Sequence, residues 1–219
     1  MLRKEYKTVL KRASAQIEEK KSKFICNVMP VEYEEQAIRF IDELRTKYWD
    51  ATHNVYAYYI EGETTAQRYS DDGEPSGTAG MPVLEAIKKA GVINVAVVVT
   101  RYFGGTLLGA AGLIRAYGKS AMMGLNAAVI VKKQLCTELI VTMEYVYLGK
   151  VQNLIISEGY NVKSTEYGQD AEMTLLVPAD MADGFTDKLI EATNANILVQ
   201  KGRQEYIMLD EKGRWIKDN

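Results

Sequence analysis

The sequence predicts an α+β fold in two domains, and three observations carry that expectation. The N-terminal part opens with strand-like runs and then switches to helical spacing. A nearly continuous β-branched run, Val92–Thr100, lies between two helical segments. From Leu135 the pattern restarts as strand, helix, two strands, helix and strand over about eighty residues, the ferredoxin-like βαββαβ order. Charge marks the same division. Residues 1–134 hold 19 Lys+Arg against 15 Asp+Glu, a net of +4, whereas residues 135–219 hold 8 against 14, a net of −6. The expected domains are therefore 1–134 and 135–219.

Two extended runs come first, Ala13–Glu18 and Lys23–Val31, with a charged turn between them. Ala37, Ile41, Leu44 and Tyr48 then share a helix face, and Glu32, Glu34 and Glu35 load its first turn as the helix dipole favours. The segment THNVYAYYIEGE alternates into a strand ending at Gly62, and DDGEPSGTAGMP has loop composition. Val83, Leu84 and Ile87 form the stripe of the next helix, which stops at Gly91. Val92–Thr100 suits a central strand covered on both faces, and the following helix, from about Gly109 to Leu125, packs through Leu113, Tyr117, Ala121 and Leu125. In the second domain Leu135, Leu139, Val141, Met143 and Tyr145 alternate as a half-buried strand. A helix turning Val151, Leu154 and Ile155 inward follows, then strands near 161–167 and 171–177. A helix with Ala182, Phe185, Leu189 and Ala192 and a strand near 196–209 close the pattern.

The totals exclude several classes. With 47% hydrophobic and 26% charged residues in 219, the chain can bury a core, and four prolines argue against disorder. The longest apolar run is far too short to cross a membrane, and the charged N-terminus has no apolar secretory core. Cys26 and Cys136 stand apart, as in a reducing compartment, so the expected location is cytoplasmic. His53 is the one histidine, which excludes a histidine-rich zinc site. It begins an aromatic strand, where capping or packing competes with catalysis.

Two stretches carry candidate chemistry. Asp71, Asp72 and Glu74 are dense enough to hold a divalent metal, yet they lack the spacing of a calcium loop and equally suit an exposed turn. Just beyond them Ser76, Gly77 and Thr78 lead into a helix whose amides favour a phosphate, although a plain N-cap by Ser76 or Thr78 explains them too. In the second stretch, Arg101 is the first charge after the β-branched run, and Gly104 and Gly105 permit unusual backbone angles. Arg115 and Lys119 stack one turn apart on the next helix. With Tyr102 and Phe103 as stacking platforms, the set suits single-stranded nucleic acid. The alternative makes Tyr102 and Phe103 core cover and Arg101 a structural partner of Asp71 or Asp72.

The stretch from Gly80 through MPVLEAIKKAGVINVAVVVTRYFGGTLLG resembles the signature of the IMPACT family, also called the YigZ type, and ATHNVYAY and SDDGEPSGTAG resemble it as well. The resemblance covers nearly the whole chain. It implies an N-terminal domain with the fold of the second domain of ribosomal protein S-five, and a C-terminal domain like the last domain of elongation factor G. It also implies a link to translation, because eukaryotic members of the family regulate it by binding a partner of a stress-responsive kinase. No catalytic residue carries over.

The expected function is therefore non-enzymatic: a translation-associated protein whose N-terminal domain binds RNA, the ribosome or a protein partner. Sequence-specific DNA recognition and membrane binding are not expected. The alternative is an enzyme or sensor that holds a small phosphorylated ligand, with a divalent metal, between residues 71–80 and 101–109.

Overall fold

A computed structural model describes residues 3–62 and 65–217. Its elements run β1 (Glu5–Val9), β2 (Ala13–Glu19), β3 (Ser22–Pro30), α1 (Glu34–Lys47), β4 (His53–Glu61), β5 (Thr65–Ser70), α2 (Gly80–Ala90), β6 (Val95–Tyr102) and α3 (Ala110–Ala127). They continue as β7 (Ile130–Met143), α4 (Tyr145–Glu158), β8 (Asn161–Tyr167), β9 (Ala171–Pro178), α5 (Ala182–Ala192), β10 (Ile197–Leu209) and β11 (Trp215–Ile216). Tyr6–Lys132 make one compact unit, and the chain from Lys133 onward makes another, joined by the few residues before Tyr6.

In the first unit β6 lies at the centre of an antiparallel sheet ordered β2-β3-β6-β4-β5. Its side chains alternate. Val95, Val97 and Val99 pack with Val83, Ile87, Leu113 and Tyr117 of α2 and α3, while Ala96 and Val98 pack with Phe40, Ile41 and Leu44 of α1. Both faces are covered, which is why the strand reads as a nearly continuous β-branched run. Each fully buried valine contributes about 1.5–3 kcal/mol relative to exposure.

Four strands differ from the sequence expectation. β5, with sequence TAQRYS, is a mostly exposed edge strand and lacks the apolar alternation that marks a half-buried one. β1 and the two-residue β11 are too short to carry a period. β7 begins at Ile130, before the expected boundary, and Tyr145, expected to end that strand, instead opens α4.

The second unit has the strand order β11-β10-β7-β9-β8. Without β11 this is the ferredoxin-like arrangement, with Val151 and Ile155 of α4 and Phe185 and Leu189 of α5 packed on Leu139, Val141, Met173 and Leu175.

The β2–β3 hairpin turns on Lys20 and Lys21, at φ 45° and 66°, between the paired Glu19 and Ser22. Two positive-φ residues define the tight primed turn whose twist matches its strands. Gly104 lies against this turn so closely that a Cβ would stand 2.0 Å from the carbonyl carbon and oxygen of Lys21. Gly104→Ala should therefore cost at least the ~1–3 kcal/mol typical of overpacking, measured by urea unfolding.

Both thiols are buried. Burial pushes Cys26 up to about 12, against a lowering hydrogen bond from Gly124, and burial with the nearby Glu205 charge pushes Cys136 up to about 11. As pH rises past 9.0, the ordinary value, the unfolded chain loses these protons first, so stability should fall through the window up to about 12. At pH 8 an alkylating reagent should leave the folded chain unlabelled and label it in urea, as mass spectrometry would show.

Candidate functional site

Antiparallel pairing places Arg101 of β6 opposite both Phe24 of β3 and His53 of β4. The side chain is not on the surface. Arg101 is 5% exposed, and its Nη1 donates to Glu74 Oε1 at 2.6 Å and its Nη2 to Ser22 Oγ at 3.2 Å. The guanidinium lies over the rings of Phe24 and Phe103, at 5.4 and 5.5 Å. Stacking on π faces offsets part of the cost of taking the charge out of water. Among the described residues the Arg101 Nε has no hydrogen-bond partner.

Glu74, 8% exposed, is the centre of the cluster. Its Oε1 also accepts the Tyr117 hydroxyl at 2.7 Å and lies 3.8 Å from His53 Nε2. Burial, reinforced by the Glu74 charge, drives the Tyr117 hydroxyl far above the ordinary tyrosine range, so it stays a donor. His53 Nδ1 is 2.8 Å from the Asp72 carbonyl oxygen. A carbonyl only accepts, so Nδ1 carries the hydrogen, and in the neutral ring Nε2 offers its lone pair.

The 71–80 loop closes on itself. Asp71 accepts hydrogen bonds from the amides of Gly77 (2.9 Å), Ala79 (3.0 Å) and Gly80 (2.8 Å). The amides expected to cradle a phosphate are thus taken by a carboxylate of the same loop, which also supplies negative charge at the start of α2. Ser76 is exposed, Thr78 donates to the Pro75 carbonyl, and neither side chain caps α2, whose N-cap is Ala79. Asp72 accepts from the amide of Asn54 at 2.6 Å and meets Arg45 at 3.4 Å. Asp71, Asp72 and Glu74 therefore point to three different sets of partners. Among the described residues no three His, Cys, Asp or Glu side chains gather as metal ligands do.

The expected cationic surface is corrected in one member. Arg101 belongs to the buried cluster, because the turn brings Glu74 to it, rather than Asp71 or Asp72. Tyr102 is half-buried with its hydroxyl on Asp50, so of the two aromatics Phe103, 46% exposed, offers the open face. Gly104 donates its amide to Ser22 Oγ, and Gly105 takes φ 77° in open space. Arg115 and Lys119 are exposed on α3 and line a concavity of about 260 Å³ with Lys20 of the hairpin, Glu19, Leu108 and Gly112. None of the three cations has an ion-pair partner among the described residues. Sequence reasoning missed Lys20, although two lysines at a two-residue turn could have marked a hairpin tip. It also missed the polar role of Tyr117, which was read only as core. A second cleft, of about 440 Å³, is lined by His53, Glu74, Arg101, Phe103, Leu107 and Leu108, so Leu108 borders both.

These features define a two-domain α+β protein with a buried Arg–Glu cluster and a separate cationic concavity in its N-terminal unit. Residues 20–125 match the Impact N-terminal domain, and residues 141–196 match a domain of unknown function designated DUF1949. The chain is 39% identical to the IMPACT family member YvyE of Bacillus subtilis (strain 168) over 202 residues, 92% of this chain and 93% of that protein. It is 31% identical to the IMPACT family member YigZ of Escherichia coli (strain K12) over 180 residues, 81% of this chain and 88% of that protein. A crystal structure described as that of a hypothetical protein superposes with a TM-score of 0.59 at 28% identity, covering 93% of this chain and all of that one. The chain belongs to the IMPACT family.

Removing one member of the buried pair leaves the other charged and without its counter-ion. Arg101→Met should therefore lose about 3–5 kcal/mol of stability in urea unfolding, and adding Glu74→Leu should recover part of that loss.

Proposed function

We propose that this protein binds RNA through its N-terminal domain and acts in translation. The observation that carries the reading is the concavity that gathers Lys20, Arg115 and Lys119 without an ion-pair partner among the described residues. Charges left unpaired on a concave surface attract a polyanion, and binding gains from the counterions it releases. The net +4 of residues 1–134 supports a polyanionic partner, and the −6 of residues 135–219 favours the first domain for that contact. Family membership supports the link to translation, with RNA on the ribosome as the natural target.

Both cations on α3 are exposed and have no ion-pair partner among the described residues, so replacing them should leave the fold intact. Arg115→Ala with Lys119→Ala should weaken binding of a single-stranded RNA at low salt and reduce the slope of log affinity against log salt by about 1.4, from ~0.7 per phosphate contact. Gel shifts across a salt series measure both. An unchanged slope in the folded double variant would refute the reading.

A further inference from the structure

The cleft beside the cationic concavity holds two hydrogen-bond acceptors with no donor between them. His53 Nδ1 donates to the Asp72 carbonyl, so in the neutral ring the Nε2 lone pair faces Glu74. Glu74 Oε1 is already engaged by Arg101 and Tyr117, and Oε2 has no donor among the described residues. Nε2 and Oε1 stand 3.8 Å apart, beyond hydrogen-bond distance. Two acceptors facing one cleft call for a ligand that brings hydrogens.

The rest of the cleft sets the shape of that ligand. The exposed face of Phe103 forms one wall and Leu107, Leu108 and Leu113 supply apolar surface. Its volume, about 440 Å³, falls within the ~300–1,000 Å³ of small-ligand clefts. A flat, weakly polar body carrying an amino group fits these demands. Leu108 also lines the concavity of Lys20, Arg115 and Lys119, so a group in the cleft can be covalently continuous with phosphates beside the cations.

We propose that this cleft is a base pocket, which takes an unpaired nucleobase bearing an exocyclic amine in preference to uracil. The base stacks on Phe103, and its amine donates to His53 Nε2 and Glu74. Uracil presents a carbonyl oxygen where cytosine presents the amine, and that oxygen would face two acceptors. Carboxylates read the cytosine amine in this way elsewhere, and aromatic side chains are the usual platform for splayed-out bases. The pocket rests on the RNA reading above and adds to it a preference among bases that the phosphate contacts lack.

Cytidine and uridine form a matched pair for the test, and the full chain reports on itself because His53 is its one histidine. Cytidine should shift the His53 ring signals in a saturable 1H–15N titration, and uridine should do so at least about tenfold more weakly. Phe103→Ala, at a half-exposed position, should weaken cytidine about tenfold, within the range for loss of one base–aromatic stack. Equal responses to the two nucleosides, or none to either, would overturn the pocket.

Short oligocytidylate and oligouridylate separate this outcome from failure of the groove. If both bind equally and both are weakened by Arg115→Ala with Lys119→Ala, while neither nucleoside moves His53, the groove stands and the pocket falls. If cytidine moves His53 but the double substitution leaves oligonucleotide affinity unchanged, the pocket stands and the groove falls.

Discussion

The N-terminal unit is arranged around one largely buried ion pair. Arg101 and Glu74 come from the end of β6 and from the loop before α2, and the pair draws in Ser22 at the start of β3, His53 at the start of β4 and Tyr117 from the middle of α3. A buried pair of this kind adds little net stability, since desolvation offsets most of the attraction. Its contribution is positional. An apolar contact could slide, whereas a guanidinium held by Glu74 and Ser22 between two aromatic rings has one satisfactory placement. Five segments meet there, so the end of the sheet and the mouth of the cleft share one geometry.

The same constraint explains what the 71–80 loop does. Its three carboxylates carry equal formal charge and lie within four residues, yet they have separate tasks. Asp71 ties the loop amides to the start of α2, Asp72 holds the start of β4 through Asn54, and Glu74 enters the core. A loop whose amides are already bonded to its own aspartate has little capacity for an outside anion. Cations without an ion-pair partner among the described residues are found instead at Lys20, Arg115 and Lys119.

Much of this architecture was legible in the sequence because burial leaves a periodic record. β6 announced a strand covered on both faces, the stripe of Leu113, Tyr117, Ala121 and Leu125 announced α3, and the βαββαβ order of the second unit followed from alternation and helical spacing. β5 left no such record, because an exposed edge strand has little reason to alternate. The site was legible only as a set of residue types. Which carboxylate meets Arg101 depends on the path of a loop 27 residues away, and Asp72 and Glu74 differ by two positions in sequence while one side chain is partly exposed and the other is buried. Nor does any local signal bring Lys20 to Arg115. That meeting follows from α3 packing Leu113 on the layer that contains Ile17 of β2, a tertiary fact.

The paired glycines after Arg101 then acquire a physical reason different from phosphate binding. Gly105 meets the demand for a left-handed backbone angle, but Gly104 answers a demand for space, because the hairpin turn at Lys21 occupies the volume a side chain would need. Close contact there fixes the tip of the β2–β3 hairpin against the segment that leads into α3. Lys20 belongs to that tip, and Arg115 and Lys119 belong to that helix. The hydrogen bond from the Gly104 amide to Ser22, whose hydroxyl also receives Arg101, connects this contact to the buried pair. One glycine thus couples the buried cluster to the cationic concavity, so a substitution that loosens the turn would disturb the concavity without touching any of its charges.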